Sequence, residues 1–532
     1  MKNRIAVVDL FAGPGGLAEG FSAVETSNGF RPFRVALSIE KDSAAHSTLL
    51  LRTFLRQFES GFPNEYYSAL KNCAEEPRWA ELYPVQWDAA LREARQIELG
   101  SPAARKEIPP LLAQIKRTSG GNTVLIGGPP CQAYSLVGRA RNKGIKDYIP
   151  EEDHRHFLYK EYLRILRQLE PLAFVMENVK GFLSASIGGD KIFTQVLADL
   201  RSVRGHGGYE LFALSADEKS AFQAPAVLQP SDFIVRAEYF GIPQARHRVI
   251  VVGIRGDIAA ASKLQGKRIT LPTGPRATLS HVLDGMPKLR SALSKDDSPA
   301  AWTNAVREAA VMLSGLVPAR FNTPQLKAYK TRLRQVIATL RVRSNLPRFE
   351  GRPAGVATDC PKDLKAWLRD PRVSHLSNHG ARSHMASDLA RYLFAGVYSE
   401  ILGSSPKAED FPDALAPAHK NWKSGKFRDR FTVQTREHPS STITSHISKD
   451  GHFFIHPDPE QCRSLTVREA ARLQTFPDNY VFKGNRTEQF VQVGNAVPPY
   501  LARQIGDVVY RMIKEHATHG GTPDRHKTRV SR

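Results

Sequence analysis

The sequence predicts an α/β fold in which helices cover a mainly parallel sheet, together with a second, smaller domain. Three observations carry this prediction. Short apolar runs alternate with helical patterns up to about residue 255, which is typical of βαβ units. This rhythm is lost over 256–435, where prolines, arginines and short helical pieces dominate. A chain of 532 residues is also too long for one compact core.

The first predicted unit consists of a strand, a glycine loop and a helix. Ile5 to Leu10 is an apolar run that predicts a strand, 11–16 (FAGPGG) a tight loop, and Leu17 to Ala23 the start of a helix. A second predicted strand, 34–39, is followed directly by Glu40. This arrangement places a flexible loop and a carboxylate at neighbouring strand ends.

The following units repeat the alternation after an interruption. Residues 56–120 are polar, charged and helix-prone, and we interpret them as an insertion. Thr123 to Ile126 predicts a buried strand, and a helical stretch from about Phe157 to Leu169 leads to another strand at 172–176. Two more strand signals lie near 233–254, so the sheet is expected to have helices on both faces.

Later patterns indicate that the chain returns to its first domain after 435. Thr466 and Glu469 form a predicted capping box at the start of a helix. The end of the chain is rich in Gly, His, Lys and Arg and is expected to be disordered. The predicted segments are 1–255 (first domain, with 56–120 inserted), 256–435 (second domain), 436–512 (returning segment) and 513–532 (basic tail).

The charge of the chain favours a polyanionic partner, above all nucleic acid. The formal net charge is +22 and the pI is about 9.8. From Arg320 to Phe349 there are eight Lys or Arg and no Asp or Glu. Apolar residues recur at helical spacing in this run, so it predicts an amphipathic helix with a basic outer face. The alternative is a solvated helix face without a partner.

Cysteine usage and hydropathy predict a cytoplasmic protein without membrane contact. No run of 18 or more apolar residues is present, and the first strand does not resemble a signal peptide. The four cysteines form no CxxC pair or metal-ligand spacing, so we expect reduced thiols and no metal site. Cys73, Cys360 and Cys462 are interpreted as structural or incidental.

Cys131 is the exception among these thiols. It follows Gly128-Pro129-Pro130, a rigid turn at the end of the strand predicted at 123–126. Ligands of open α/β sheets bind outside the carboxyl ends of strands, so Cys131 is a candidate nucleophile. A buried structural thiol is the alternative from this stretch alone.

A second candidate site lies at the first two strand ends. The loop 11–16 lets the backbone approach a ligand closely, and Glu40 can accept hydrogen bonds from ribose hydroxyls. The loop does not match the GxGxxG pattern of dinucleotide sites. An adenosine cofactor without phosphates fits better, and S-adenosylmethionine is such a molecule.

Six ordered motifs resemble those of the DNA (cytosine-5) methyltransferase family, bacterial type. They span residues 11 to 499 in the family's order, which leaves little room for chance. The motifs are FAGPGGL (11–17), GPPCQ (128–132), ENV (177–179), QARHR (244–248), REAARLQTFP (468–477) and QVGNAVPP (492–499).

The resemblance implies a Rossmann-like fold that depends on S-adenosylmethionine, and a target-recognition domain over 256–435. Pro439 to Thr444 is similar to the family's end of that domain. The family's acidic residue at the end of the third strand is not identified; Asp88 is a candidate. The implied cofactor-binding residues are Asp9, Phe11, Ala12, Gly13, Gly15, Gly16, Leu17, Glu40, Pro129, Asn495 and Val497.

The resemblance also implies a mechanism without a metal. The Cys131 thiolate attacks C6 of a cytosine flipped out of duplex DNA, Glu177 assists at N3, Arg248 contacts the base, and Arg246 helps hold the loop or the base. C5 then accepts the methyl group. The candidate DNA-binding residues are Gln132, Ser135, Arg139, Arg141, Gln244, Lys327, Lys330 and Arg334.

Less specific interpretations remain for several of these side chains. Glu177 could be a helix cap, and Arg246 and Arg248 could be surface salt-bridge partners. Glu40 could have a structural role instead of a ribose contact. These alternatives differ in the partners that each side chain should have in the structure.

The expected function is methylation of cytosine C5 in double-stranded DNA, in a restriction-modification or orphan setting. A cognate restriction endonuclease would act separately, and the enzyme would be nucleoid-associated when on DNA. The alternatives are a tRNA cytosine-5 methyltransferase and a catalytically silent DNA-binding regulator. The long interval 256–435 argues against the former, and intact Cys131, Glu177 and Arg248 argue against the latter. Methyltransferases of adenine N6 or cytosine N4 are disfavoured because they need no thiol.

Overall fold

A computed structural model describes residues 4–72, 75–130, 158–187, 190–203, 207–215, 228–262, 269–342, 345–417, 422 and 429–519. Sixteen strands are described, of which eight form one central sheet. They are β1 (Ile5–Leu10), β2 (Phe33–Glu40), β3 (Ala94–Gln96), β4 (Thr123–Gly127), β5 (Ala173–Val179), β6 (Ser186–Ile187), β7 (Asp190–Lys191), β8 (Tyr209–Phe212), β9 (Leu214–Ser215), β10 (Ile234–Arg236), β11 (Gln244–Ala245), β12 (His247–Arg255), β13 (Ile269–Thr270), β14 (Ala292–Leu293), β15 (Ser383–His384) and β16 (Ser440–Ser441).

The helices of the described ranges complete the secondary structure. They are α1 (Gly16–Ser22), α2 (Ser43–Arg56), α3 (Asn64–Asn72), α4 (Trp79–Leu82), α5 (Pro84–Glu93), α6 (Pro102–Thr118), α7 (Leu158–Leu169), α8 (Ile192–Arg201), α9 (Gly256–Ala261), α10 (Leu279–Leu283), α11 (Pro299–Ser314), α12 (Thr323–Val342), α13 (Lys362–Leu368), α14 (Ala386–Leu402), α15 (Val467–Leu473), α16 (Arg486–Asn495) and α17 (Pro499–His519). Within these ranges, no helix is both long and apolar enough to cross a membrane.

The central sheet has the order β10-β12-β5-β4-β1-β2-β3, and β8 also pairs with β12. The five strands from β5 to β3 are parallel, whereas β12 runs antiparallel to β5, and β10 and β8 run antiparallel to β12. Because β1, β4 and β5 are buried on both faces, they are nearly continuous apolar runs. The predicted α/β fold with a mainly parallel sheet is confirmed.

Helices cover both faces of this sheet. On one face, α1, α9 and α17 pack in a single core with alternate residues of β1 and β4. On the other face, α6, α7 and α8 pack against the remaining alternate residues. The two ends of the chain therefore share one core, because α1 and α17 lie side by side.

The interval 56–120 is not wholly an insertion. It contains β3, which pairs with β2 at the edge of the sheet, and α6, which covers one face of it. Only the part before β3 forms a separate aromatic cluster, in which Phe54 of α2 contacts Trp79 and Trp87. We call residues 57–93 the inserted segment. The sequence did not predict β3, because a polar edge strand of three residues has no clear apolar run.

Two further cores lie outside the sheet. One joins residues of 277–376 with residues of 443–496, and the other is built mainly from α11, α12 and α14. Both cross the predicted boundary at 435, and the chain rejoins the first core near Val497. At the other boundary, α9 still packs on the sheet, so the first core extends past 255. Apolar packing therefore does not follow the predicted division.

Three local predictions can be compared with the structure. The capping box is confirmed, since Thr466 and Glu469 each accept a hydrogen bond from the other's backbone N–H.

The basic run forms α12, whose Tyr329 and Leu333 are buried, as amphipathic spacing predicts. The predicted tail begins too early, because α17 continues to His519; residues 520–532 lie outside the described part.

Candidate active site

The candidate site lies where the carboxyl ends of four neighbouring parallel strands meet. The loop 11–16 follows β1, Glu40 ends β2, Gly128 to Pro130 follows β4, and Glu177 lies near the end of β5. Such a strand-end crevice is the usual ligand position in an open α/β sheet. The sheet thus brings together residues that are up to 166 positions apart in the sequence.

The loop 11–16 has a backbone that most side chains would not permit. Gly13 and Gly15 have φ angles of 56° and 99°, and Phe11 also has a positive φ of 56°. The Ala12 amide donates to the carbonyl of Ile39 at the end of β2. An added Cβ on Gly13 would meet nothing within 4 Å, so the loop leaves open space beside this residue. This space is suited to a ligand that contacts the backbone.

The first and last predicted cofactor motifs are in direct contact. A Cβ on Gly16 would lie 2.3 Å from the Val497 carbonyl oxygen, so only glycine allows this approach. The Tyr480 hydroxyl donates to the Pro14 carbonyl. Ala12, Leu17 and Val497 are buried in the cores, whereas Asn495 is exposed. Of these predicted residues, Asn495 has the side chain most open to a ligand.

Glu40 is held rigidly at the end of β2. One carboxylate oxygen, Oε2, accepts a 2.8 Å hydrogen bond from the Gly13 amide. The other, Oε1, accepts from the amides of Lys41 and Asp42, each at 2.8 Å. A carboxylate has about four acceptor positions, so these three donors leave capacity for a hydroxyl group. Glu40 therefore both shapes the loop and fits a ribose contact.

The loop does not have the features of a pyrophosphate site. The Gly15 amide at the start of helix α1 is already bonded to the Ala12 carbonyl. A consumed donor disfavours a phosphate at a helix N-terminus. An adenosine cofactor without phosphates fits these residues, as the sequence predicts.

Asp9 is a correction to the predicted cofactor contacts. Its side chain is completely buried in β1, beside Ser38 of β2, and has no surface that a cofactor could reach. Burial raises the pKa of Asp9 to about 8, although the charge of Arg56 and the amide of Ala18 act in the opposite direction. We therefore regard Asp9 as part of the support for the loop.

Replacement of Asp9 by asparagine should make folding stability less dependent on pH. Folded Asp9 keeps its proton up to about pH 8, whereas the ordinary pKa of an Asp side chain is 3.8. Unfolding therefore releases a proton between these values, and wild-type stability falls as the pH rises through them, by at most about 1.4 kcal/mol per pH unit. Asp9→Asn lacks this loss.

Urea denaturation of both proteins from pH 5 to pH 9 measures this effect. The stability of Asp9→Asn relative to wild type should increase up to about pH 8 and then become constant. Above that pH, Asp9 is ionised in both the folded and the unfolded wild-type protein. A difference that is the same at every pH would contradict the proposed titration of Asp9.

The third strand lies where the family resemblance places an acidic residue. β3 comprises Ala94–Gln96, and Ile97 continues its pairing by donating to the Glu40 carbonyl. Asp88 lies in α5, before this strand, so it does not occupy the strand end. Gln96 and Glu98 lie there instead. The strand-end signal was hidden inside the interval interpreted as an insertion.

Glu177 and Arg248 form the charged centre of the site. Arg248 Nε and Glu177 Oε1 form an ion pair at 2.9 Å, and each side chain is 13% exposed. Strands β5 and β12 are antiparallel neighbours, so the register brings the two side chains together. Burial lowers the pKa of Arg248, while the charge of Glu177 opposes this shift. Neither a helix cap nor a surface salt bridge describes this pair.

The residues before Cys131 are packed against Glu177. A Cβ on Gly128 would lie 3.0 Å from Glu177 Oε2, and Asn178 Nδ2 donates to the Pro129 carbonyl at 3.1 Å. Asn178 thus holds the proline turn against β5, a role that the sequence did not reveal. The predicted nucleophile Cys131, and the predicted DNA contacts Gln132, Ser135, Arg139 and Arg141, lie outside the described residues.

Arg246 differs from Arg248 in its surroundings. Its guanidinium is buried and donates to the carbonyls of Ile443, Gly494 and Ala496. The contacts in the structure are therefore with the chain's own backbone. We place Arg246 among the residues that position the last cofactor motif, and not among those that touch the base.

Gln244 has a similar supporting role. Its side chain is completely buried, donates to Leu473 O and Gln474 Oε1, and accepts from the Ile443 amide. No hydrogen-bonding group of this amide remains open to DNA. The prediction of a DNA contact at Gln244 is therefore wrong. Gln244 lies in β11 and pairs with Ser440 of β16.

The arginines of the motif 468–477 are buried and bind distant parts of the chain. Arg472 binds Asp478 through two hydrogen bonds of 2.8 and 2.7 Å, and also donates to the carbonyls of Val282 and Gly355. Arg468 donates to the carbonyl of Ser377. These arginines tie the returning segment to 277–376, which explains why the two regions share a core.

The predicted DNA contacts on α12 lie on its solvent side. Lys327 and Arg334 are exposed and Lys330 is partly exposed. Arg332 instead pairs with Glu400 and Glu460, at 2.7 and 3.3 Å. The helix therefore presents a basic face while one of its cations secures it to neighbouring elements.

The chain is similar to known methyltransferases. The family model described as "C-5 cytosine-specific DNA methylase" matches residues 113–305 and 371–511. The Type II methyltransferase M.Bpa9945I of Bacillus paralicheniformis is 32% identical over 96% of this chain and 99% of its own length. The Type II methyltransferase M.AgeI of Thalassovita gelatinovora is 28% identical over 73% and 82%. The DNA (cytosine-5-)-methyltransferase M.ApeKI of Aeropyrum pernix is 26% identical over 73% and 81%.

Proposed function

The chain belongs to the C-5 cytosine-specific DNA methylase family, and we propose how its residues carry out that reaction. The enzyme transfers a methyl group to C5 of cytosine in DNA. The observation that carries the assignment of roles is the Arg248–Glu177 pair beside Gly128, since it puts a carboxylate next to the strand end that leads to Cys131.

We propose that the loop 11–16, Glu40 and Asn495 bind S-adenosylmethionine. Glu40 would accept hydrogen bonds from the ribose hydroxyls, and the open space at Gly13 would admit the ligand close to the backbone. When bound, S-adenosylmethionine would supply an electrophilic methyl group and would leave as S-adenosylhomocysteine. Pro129 and Val497, which are both buried, complete the set of residues proposed for this site.

Cys131 is the proposed nucleophile. Its thiolate forms a bond to C6 of the flipped cytosine, and the electron pair displaced from the C5–C6 double bond makes C5 able to accept the methyl group. A base then removes the C5 proton, and the returning electron pair expels the Cys131 thiolate. The turn of Gly128 to Pro130, held by Asn178, directs the start of this segment.

Glu177 and Arg248 are the proposed groups that hold the base. Arg248 binds Glu177 Oε1, so the second oxygen, Oε2, remains on the side of Gly128. In this position Glu177 can share a proton with cytosine N3 and thereby stabilise the charge that develops when sulfur attacks C6. Arg248 keeps the carboxyl group in one orientation.

We further propose duplex DNA as the substrate and residues 256–435 as the principal target-recognition region. Two of the relatives are named Type II methyltransferases, which supports a restriction-modification setting for this chain. A cognate restriction endonuclease would then be a separate protein that cleaves the same sequence. The net charge of +22 is consistent with a nucleic acid partner.

Transfer of tritiated methyl groups from S-adenosylmethionine tests the function. Duplex DNA of varied sequence should be labelled, whereas tRNA should not. Methylation sequencing of DNA from a host that expresses the chain should reveal one modified sequence. Labelling of tRNA alone would favour the tRNA enzyme, and DNA binding without any transfer would favour the silent regulator.

Removal of the cations on the solvent side of α12 should lower the affinity for DNA. It should also make that affinity less dependent on the salt concentration. The triple variant Lys327→Ala, Lys330→Ala, Arg334→Ala should bind DNA less tightly, irrespective of its sequence, because phosphate contacts carry no base information. If each cation meets one phosphate, the slope of log K against log salt should decrease by about 2 to 3.

Fluorescence anisotropy with labelled duplexes at 50 to 200 mM salt measures this slope. Lys106→Ala, in the exposed part of α6, changes the charge in the first domain and serves as the control. An unchanged slope in the triple variant would show that α12 does not meet the phosphates.

A further inference from the structure

The inserted segment is hydrogen-bonded, at one carboxylate, to the region whose core joins residues of 277–376 with residues of 443–496, which we call the second core. Asp370, which lies just beyond α13, accepts the Tyr67 hydroxyl proton at 2.5 Å and an Asn479 amide proton at 2.7 Å through the same oxygen, Oδ2. Its other oxygen accepts from the Arg372 amide at 2.9 Å. Asp370 therefore joins the inserted segment to Asn479, the residue that precedes Tyr480.

Arg372 and Tyr66 strengthen the same junction. The Arg372 guanidinium carbon lies 4.0 Å from the centre of the Tyr67 ring, and its Nη2 donates to Asn64 Oδ1 at 2.8 Å. The Tyr66 hydroxyl donates to the Asn479 carbonyl at 2.7 Å. The junction thus combines hydrogen bonds with a cation–π contact.

The connection continues to the cofactor loop. The Tyr480 hydroxyl donates to the Pro14 carbonyl and would lie 3.1 Å from a Cβ on Gly15. Tyr480 directly follows Asn479, whose side-chain amide donates to Asp370 and whose backbone carbonyl accepts from Tyr66. The residue held at the junction is therefore the immediate neighbour of the side chain that supports the loop. The path from Tyr67 to the loop runs through Asp370, the side chain of Asn479 and the adjacent Tyr480, with a hydrogen bond at each contact.

Arg52 provides a second path between the same parts. Its guanidinium lies between the rings of Phe62 and Tyr480, 4.7 Å from each centre. It donates to Asn479 Oδ1 at 3.1 Å and to both carboxylate oxygens of Glu19 in α1. The inserted segment, the second core and the helix after the cofactor loop all meet at this buried cation.

We infer that the inserted segment positions the cofactor loop through Tyr67, Asp370 and Tyr480, so that these are positioning residues for binding of S-adenosylmethionine. The inference rests on the proposed function of the loop 11–16. None of the three residues would touch the reacting atoms. The expected consequence of weakening the junction is a lower affinity for the cofactor, with little change in the rate of methyl transfer once both substrates are bound.

The variants Tyr67→Phe and Asp370→Asn test this inference in the full-length protein. Each should raise the dissociation constant for S-adenosylmethionine by about fivefold, as a hydrogen bond to a charged group contributes roughly tenfold or more and only part of this is transmitted. The Michaelis constant for the cofactor should rise equally, and kcat should remain within about twofold of wild type.

Tyr83→Phe is the matched control. Its hydroxyl also donates to a carboxylate, Glu65 Oε2, at 2.8 Å, but this bond lies within the inserted segment and does not reach the second core. It should leave the affinity for the cofactor unchanged. In addition, Tyr67→Phe and Tyr480→Phe should be less than additive when combined, since both interrupt one path.

Isothermal titration with S-adenosylmethionine, together with thermal unfolding, separates the outcomes. Lower unfolding temperatures with unchanged cofactor affinity would show that the junction is only structural and would overturn the inference. Equal effects of Tyr83→Phe and Tyr67→Phe would also overturn it. Failure of the wild-type protein to bind the cofactor would instead contradict the proposed function of the loop.

Discussion

Replacement of Cys131 by alanine should abolish methyl transfer to DNA. Without a thiolate no bond to C6 can form, and C5 of an aromatic cytosine does not attack a methyl group at a useful rate. Binding of S-adenosylmethionine should persist, because the loop 11–16, Glu40 and Asn495, which are proposed to hold it, are unchanged in this variant. Single-turnover incorporation of tritium, measured beside cofactor titration, distinguishes these two properties.

A chemical trap tests the covalent bond itself. DNA with fluorine at C5 of the target cytosine cannot lose a proton there, so wild type should remain attached to it after denaturation, whereas Cys131→Ala should not. Cys360→Ala is the control: burial raises the pKa of the Cys360 thiol to about 11, which makes it a poor nucleophile. Activity of Cys131→Ala at the wild-type rate would exclude this mechanism.

Replacement of Glu177 by glutamine should reduce the single-turnover rate by about 10² to 10⁴, the usual contribution of a positioned acid or base. Glutamine keeps the size of the side chain but cannot exchange a proton with cytosine N3. It also leaves the charge of Arg248, which is 13% exposed, without its carboxylate partner. The affinity for duplex DNA should change much less than the rate.

Thermal unfolding and cofactor titration show whether Glu177→Gln is folded. Asn178→Ala is a useful comparison, because it removes the hydrogen bond to the Pro129 carbonyl but keeps the carboxylate. It should slow the reaction less than Glu177→Gln does. A rate within threefold of wild type for Glu177→Gln would exclude a role in proton transfer.

Local patterns in the sequence were sufficient for much of the fold. β1 and β4 were predicted within one residue, since strands buried on both faces are continuous apolar runs. β2 was also predicted within one residue at each end, although its Arg34 is exposed. The helix now seen as α7 and the capping box at Thr466 also follow from local spacing and side-chain type. β3 was missed because a short strand at the edge of the sheet has too few residues to produce a pattern.

The separation of the two arginines in QARHR could not be predicted from the sequence. Both are basic residues of one short motif, and both were assigned to catalysis. Only the antiparallel pairing of β12 with β5 directs Arg248 to Glu177, whereas Arg246 turns to the carbonyls of Ile443, Gly494 and Ala496. Their roles therefore depend on neighbours that lie far away in the chain.

The sequence by itself determined the family, the reaction and the candidates for its chemistry, because nucleophile, carboxylate and glycine loop are properties of residue type and local order. Tertiary structure decided which candidates face the site and which support it. Asp9, Gln244 and Arg246 belong to the support, and Tyr480 reaches Pro14 across 466 positions. Burial and long-range hydrogen bonds arise only when distant segments pack together, so no local pattern records them.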